Sequence, residues 1–416
     1  MAWGGVFVLA ACKSSDPLPT RAVAAAVDVA LPIQASPVIE ASSLVAVALD
    51  VPATFTAVPE MAPTHPDNGK PINPTMEPSA TAILPTRTPL PTDTPLPTDT
   101  PTPYVVVIPD LPPTDELGPS KLGLHVVRNN DPNIMNFVRE SQPAVMKSVD
   151  DLGFLADVKR ESPKTITIGR ISIESQDYTG NPEEAARDFV ARYLEIYQLN
   201  PTVDYWEAWN EPDPNQRNMS WYARFEQERV RQMAKYGLRS AIGGFATGVP
   251  ELDEFRLFVP AVETAMEHGG VLSLHEYGAP DLTYGYGMPL PGYPTYPDRG
   301  ILTFRYRWYY KEVLEPAGLV IPLVITEAGI DGIIGNRPGP QGLGWQDFQG
   351  YWERQGIAET GVQAFLNQLA WYDVGVRQDG YVIGFTIFTA GGFGYWENYD
   401  INPILPELTQ YVRSQR

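Results

Sequence analysis

From Lys121 to the C-terminus, short β-branched and apolar runs alternate with longer segments whose apolar residues recur every three to four positions. The short runs are 122–127, 144–147, 165–170, 205–210, 240–245, 271–275, 323–326 and 382–388, and each reads as a strand buried on both faces. Between them, 182–199, 221–238, 252–268, 302–314 and 361–374 carry the helical period. Eight strand–helix alternations predict an α/β chain of the (β/α)8 TIM barrel class. An open, doubly wound sheet is the competing architecture. No Gly-x-Gly-x-x-Gly or Gly-x-x-x-x-Gly-Lys loop follows any of the strands, so no nucleotide site is signalled and the closed barrel is preferred.

The pattern is different before Lys121. Residues 13–117 are dominated by Ala, Val, Pro, Ser and Thr, have few aromatics, and hold no sustained period. Within them, 86–101 repeats Pro-Leu-Pro-Thr-Asp-Thr in tandem, a composition that favours extended polyproline conformations and a semi-rigid spacer. We therefore divide the chain into a 1–12 leader segment, a disordered Pro/Thr/Ala-rich linker over 13–117, and a catalytic barrel over 118–416. The leader is a short apolar run ending in Leu9-Ala10-Ala11-Cys12, with no Lys or Arg before it. It resembles the lipobox of bacterial lipoprotein signal peptides. That resemblance implies lipidation of Cys12 and a protein held at the extracellular face by its lipid, or else secreted, with no other membrane contact. Cys12 is the sole cysteine, so neither an intrachain disulfide nor a cysteine zinc site can form.

A formal net charge of -20 offers no basic field to attract phosphates, which argues against nucleic acid partners and favours a neutral substrate. A monomer is the default expectation. In a barrel enzyme the reacting groups sit at the C-terminal strand ends. Those ends carry His125 and Arg128, Lys147, Arg170, Asn210 and Glu211, then His275, Glu276 and Tyr277, and finally Glu327. Glu211 and Glu327, ending the fourth and seventh strands, would face each other across the barrel mouth. A pair of carboxylates flanking a glycosidic bond is the machinery of glycoside hydrolysis.

The run Trp206-Glu207-Ala208-Trp209-Asn210-Glu211-Pro212 resembles the strand-4 signature of glycoside hydrolase clan A. Ile325-Thr326-Glu327-Ala328-Gly329 is similar to that clan's strand-7 motif, and His275-Glu276-Tyr277 to its strand-6 end. The resemblance implies a retaining glycosidase acting on oligo- or polysaccharides, mostly β-linked, by double displacement through a glycosyl-enzyme intermediate. It makes Glu211 the acid/base, Glu327 the nucleophile, Asn210 the ligand of the sugar 2-hydroxyl, Tyr277 a hydrogen-bond partner of the nucleophile, and His275 a sugar or carboxylate contact. It implies no cofactor. The chain departs from the clan on the eighth strand, where a Trp usually floors the sugar site. Here Gly384-Phe385-Thr386-Ile387-Phe388-Thr389 has none, and Phe388 or Trp396 is the expected replacement.

Arg170 or Lys147 would keep Glu327 ionised by opposite charge, and Arg170 is preferred because a guanidinium fork can also orient a carboxylate. His125 is a further candidate for substrate contact. Glu207 lies two residues deeper on its strand than Asn210 and is expected in a structural ion pair. Glu276 should point away from His275 and Tyr277 by strand alternation. The Tyr-rich segment from Tyr284 through Tyr296 and the segment carrying Trp345, Tyr351 and Trp352 are expected to line the cleft. No metal site is expected, since there is no His-Glu-x-x-His and the histidines fall on distant strands. No Gly-x-Ser-x-Gly elbow supports a serine hydrolase. A surface-displayed, non-catalytic carbohydrate-binding barrel is the second reading.

Overall fold

The computed structural model describes residues 104–109 and 117–416 apart from Glu174. Cys12, the leader, and the linker except for 104–109 and residue 117 lie outside the described residues.

The chain runs β1 (Leu122–Val126), α1 (Pro132–Ser141), β2 (Val145–Val149), α2 (Leu155–Glu161), β3 (Ile166–Arg170), α3 (Pro182–Leu199), β4 (Tyr205–Trp206) and α4 (Gln216–Ala234). It continues through β5 (Ala241–Phe245), α5 (Leu252–Glu267), β6 (Val271–Gly278), α6 (Tyr306–Tyr309), β7 (Leu323–Ile330), α7 (Trp345–Arg354), α8 (Gly361–Arg377), β8 (Val382–Ala390) and α9 (Leu405–Ser414). All strand pairs are parallel, in the order β4-β3-β2-β1-β8-β7-β6-β5. One parallel bridge, Trp206 to Ser240, joins the two ends of that order, so the sheet is a nearly closed barrel with helices around it. Each of the eight expected strands is present.

Helix starts follow local chemistry. Asn181 caps α3 by accepting from the Glu184 amide, with Pro182 in the first turn, whose missing N–H would be unpaired there in any case. Asp131 with Pro132, Asn215 and Thr360 do the same for α1, α4 and α8, and Glu251 with Glu254 forms a capping box on α5. The expected 302–314 helix begins later, at Tyr306, and runs on into a π-helical turn over Tyr310–Leu314. The residues before it bend instead: Phe304 has φ +55°, and the Phe304 and Tyr306 amides donate to the Glu276 carboxylate.

Strand alternation sends one set of side chains to the helices and the other into the barrel. Leu122, Leu124 and Val126 of β1 pack outward into the main core. Inside, Val145, Ile168, Tyr205, Ala241, Val271 and Val324 form a separate apolar cluster, contributed mainly by alternate positions of successive strands. Gly123 is required where β1 and β2 approach most closely, because a Cβ there would sit 1.7 Å from the Val145 carbonyl oxygen. Immediately towards the C-terminal ends of the strands, the interior turns polar with Lys147, Glu207, Ser273, Thr326 and Thr386, all buried.

The segment 104–109, inside the span expected to be linker, packs on the barrel. Val106 is 4% exposed within the main core, the Tyr104 ring meets Tyr284 edge-on at 5.4 Å, and the Tyr351 hydroxyl donates to the Tyr104 carbonyl at 3.3 Å.

Candidate active site

The polar layer of the barrel is an ion-pair network. Lys147, fully buried on β2, donates to Glu327 Oε1 at 2.9 Å and stands 2.8 Å from Glu207 Oε2. From β3, Arg170 Nη1 lies 3.2 Å from the same Glu327 oxygen and 3.8 Å from Glu207 Oε2. The two cations and two carboxylates sum to zero charge, the condition under which so many ionised groups can leave water together. Both carboxylates respond to it. Burial would raise the Glu207 pKa, but Lys147, Arg170 and His275 hold it down at about 2. Burial likewise opposes ionisation of Glu327, yet His275, Lys147 and Arg170 keep it well below the usual carboxylate range. Glu207 also accepts from Thr326 at 2.7 Å and from Ser273, which makes it the anchor of the layer, as its depth on the strand led us to expect.

Glu327 is held from both sides. Tyr277 Oη donates to Oε2 at 2.8 Å, and burial and the Glu327 charge both push the phenol pKa up, so it stays a donor. His125 Nδ1 lies 3.5 Å from Oε1, and burial together with Lys147 lowers its pKa well below the usual range, leaving a neutral imidazole. A register shift in the pairing of β7 with β8 between Ile325 and Ala328 interrupts strict alternation here, so that Thr326 reaches Glu207 while the adjacent Glu327 reaches the cavity.

Glu211 approaches from the other side. The regular part of β4 is shorter than the expected 205–210 run and ends at Trp206; the chain then passes Glu207 and turns at Glu211, where φ is +48°. A non-glycine residue in the left-handed region is a local strain, and here it turns the carboxylate out into the cleft. The partner of that turn is Gly244, itself at φ +65°, whose carbonyl accepts from the Glu211 amide at 2.9 Å. His275 Nδ1 is 2.9 Å from Glu211 Oε1 and 3.6 Å from Glu327 Oε2, so one ring bridges the two carboxylates. Donor atoms of Glu211, His275 and Glu327 all lie within 4.8 Å of one another. That set has metal-ligating types, but a cation there would share Glu327 with Lys147 and Arg170, whose positive charges already lie about 3 Å from it.

These groups open onto a cavity of ≈ 610 Å³ at the C-terminal ends of the strands. Of the residues singled out from sequence, Glu211, Glu327, Asn210, His125, Arg170, Tyr277, Phe388 and Trp396 line it. Asn210 is fixed by a hydrogen bond from Arg170 Nη1 to its Oδ1. Phe388, on β8, lines the cavity and stands edge-on to His125 at 5.0 Å and to Trp396 at 5.1 Å. Lys147 and His275 do not border the cavity, so neither is placed to touch a sugar; both are buried beneath it and contact the carboxylates, Lys147 as the cation beside Glu327 and His275 in the second of its two expected roles. Glu276 faces outward, as alternation required, and accepts from Tyr372 Oη and the Phe304 and Tyr306 amides.

No family model matches the chain, and no curated protein does. Among solved structures it is similar to a family 39 glycoside hydrolase from Bacteroides cellulosilyticus WH2 at 14% identity, over 70% of this chain and 61% of that one, with a TM-score of 0.41. The chain thus spans less than two thirds of that protein. It is also similar to a glucosidase from Croceicoccus marinus, at 14% identity over 71% and 67% of the two chains with a TM-score of 0.41. A third likeness is to an endo-1,4-beta-D-mannanase from Thermotoga petrophila RKU-1, at 12% identity over 71% and 99% with a TM-score of 0.39. Likenesses this distant leave the chemistry to the geometry of the site.

The aromatic lining comes from another part of the chain than composition suggested. Trp345 and Trp352 stack on Phe365, Tyr293 and Tyr296 meet Trp308 edge-on, and Tyr286 meets Phe304 and Trp371, so the two aromatic segments largely pack onto the barrel. The cleft instead takes Phe393, Trp396 and Tyr399 from the segment between β8 and α9. Asp150, Asp151 and Asp331 also line it without having been singled out. Each follows the C-terminal end of a strand, which is the one signal that would have found them.

Proposed function

We propose that the chain hydrolyses O-glycosidic bonds with retention of anomeric configuration. The observation that carries this reading is the separation of the two carboxylates, whose oxygens lie within 4.8 Å across a cleft at the C-terminal end of a barrel. Retention uses carboxyl groups about 5 to 5.5 Å apart, whereas inversion needs roughly 6.5 to 9.5 Å to admit a water between them. In this mechanism Glu327 attacks the anomeric carbon as the glycosidic C–O bond breaks, and Glu211 gives its proton to the departing oxygen. Glu211 then takes a proton from water, whose oxygen attacks the same carbon and releases the Glu327 carboxylate.

The surroundings suit the roles. Lys147, Arg170 and Tyr277 favour an ionised, oriented Glu327. His275 pins one oxygen of Glu211 and leaves the other for the leaving group. Asn210 lines the cavity beside Glu211, where the 2-hydroxyl of a bound sugar would lie. A cavity of this size with aromatic walls fits an oligo- or polysaccharide, and the motif resemblance favours β-linked substrates.

The test is the full chain on a panel of aryl β-glycosides, with product anomers followed by NMR. Wild type should release the β-anomer first. Glu327→Ala should lose the activity and regain it with added azide, giving the α-glycosyl azide. Oligosaccharide binding without turnover would support the non-catalytic carbohydrate-binding reading instead. We also propose that the protein is displayed at the extracellular face through lipid on Cys12. If so, Cys12→Ser moves it from the membrane to the soluble fraction.

A further inference from the structure

We infer that Asp331 reads the hydroxyls of the bound sugar and confines the cleft to neutral glycosides, excluding uronides and other anionic sugars. The inference rests on the glycosidase reading above and names the substrate class of that site.

Asp331 follows the last residue of β7 and is fixed there by its amide, which donates to the Gly278 carbonyl at 3.1 Å. Its two carboxylate oxygens are unlike. Oδ1 accepts from Tyr399 Oη at 2.8 Å and from the Ile333 amide at 3.2 Å. Oδ2 has no protein donor among the described residues, while Asp331 borders the cavity. Nor does any Lys, Arg or His among the described residues come within 4.0 Å of this carboxylate, in contrast to Glu207 and Glu327. A partly buried carboxylate at a cleft wall, with one oxygen saturated by the protein and the other without a protein donor, can accept from a ligand, and a sugar hydroxyl is such a donor.

The same wall repels anions. Asp150 and Asp151 line the cavity along with Asp331 and the two facing glutamates. Of the two cationic lining residues, Arg170 is engaged with Glu327 and Asn210, and Arg128 stacks over Phe393 at 3.9 Å. A uronate would bring a carboxylate into this field with Arg128 as the one lining cation, among the described residues, without a carboxylate partner, whereas a hydroxymethyl group at the same ring position would meet acceptors.

The test compares matched aryl β-glycosides, glucoside with glucuronide and galactoside with galacturonide, on the full chain. Wild type should favour the neutral member of the pair it accepts by about 100-fold or more in kcat/KM. Asp331→Asn should lower kcat/KM on that neutral substrate by about 10- to 100-fold and narrow the neutral-to-uronide ratio by at least about 10-fold. Tyr399→Phe, which keeps the carboxylate but frees Oδ1, should narrow the ratio less. A wild-type preference for the uronide overturns the inference, and so does an Asp331→Asn variant that slows both members by the same factor. If nothing is turned over, the glycosidase reading has failed, and the ratio is read by calorimetric titration with cellobiose and cellobiouronic acid. Tighter cellobiose binding that Asp331→Asn abolishes still supports the inference; equal binding of the two, or binding of neither, overturns it.

Discussion

Lys147 shows how much one buried charge can govern. Its ammonium serves Glu207 and Glu327 at once, at 2.8 and 2.9 Å, which a compact group with three donors can do from beneath both. Sequence reasoning found the residue by its place at a strand end but gave the larger part to Arg170, because the fork geometry of arginine is visible in a sequence and depth in a barrel is not. In the folded protein both cations hold Glu327, and Lys147 alone is fully buried. Replacing it with Met leaves two carboxylates against one guanidinium. Breaking a buried pair in this way costs about 3 to 5 kcal/mol, to be read from urea unfolding. With one cation gone, burial lifts the Glu327 pKa, so in Lys147→Met the acid limb of the kcat/KM profile moves to higher pH. Glu207 adds a linked effect: with its pKa depressed to about 2, it contributes stability that is present above its ordinary range near pH 4.5 and is lost as pH falls towards 2. An unmoved acid limb in Lys147→Met would mean that Arg170 and His275 suffice.

At the level of elements, the strands and the motif residues on them were legible because alternation and strand ends follow from local pattern. What surrounds them was not, and the second face of β6 shows why. Its inward residues His275 and Tyr277 belong to the site, while Glu276 between them turns out to the helices and fastens the long segment that leads into α6. Composition made that segment a cleft wall; Glu276 and Trp308 bind it back onto the barrel instead. Burial pushes the Glu276 carboxyl up to about 7, against the pull of Tyr372, the two amides and Arg307. In the unfolded chain the same group titrates near 4.5. Because the folded pKa is the higher one, the folded state binds the proton more tightly, and this contribution is full below pH 4.5 and lost as pH rises through 7. The difference corresponds to about 3 kcal/mol. Unfolding midpoints at pH 5 and pH 8 should therefore fall in the wild type by more than in Glu276→Gln, which cannot titrate. Equal falls in the two proteins would remove Glu276 as the source.

For the whole molecule, the boundary between linker and barrel is where sequence and structure differ most usefully. Periodicity places the first strand at Leu122, and the Pro- and Thr-rich composition before it hides a short apolar run, Tyr104-Val105-Val106-Val107-Ile108. A run that short has no period of its own, so nothing local distinguishes a docking segment from an incidental one. The barrel decides it. Val106 is buried in the main core, Tyr104 meets Tyr284, and the Tyr104 carbonyl accepts from both Tyr351 Oη and Gln355 Nε2 at 3.3 Å. Tyr351 and Gln355 lie on α7 and at its C-terminal end, so the segment braces the helix that follows β7, the strand carrying Glu327. Full burial of one valine contributes about 1.5 kcal/mol or more, and the half-buried Tyr104 ring adds to it. A chain beginning at Gly118 should therefore unfold at lower urea than one beginning at Tyr104, by about 2 to 3 kcal/mol, while Val106→Asp in the full chain should reproduce much of the loss. The site itself is built from strand ends that the segment does not touch, so kcat should survive the truncation at temperatures where both chains are folded. If the two truncated chains unfold together, the segment rests on the barrel without holding it.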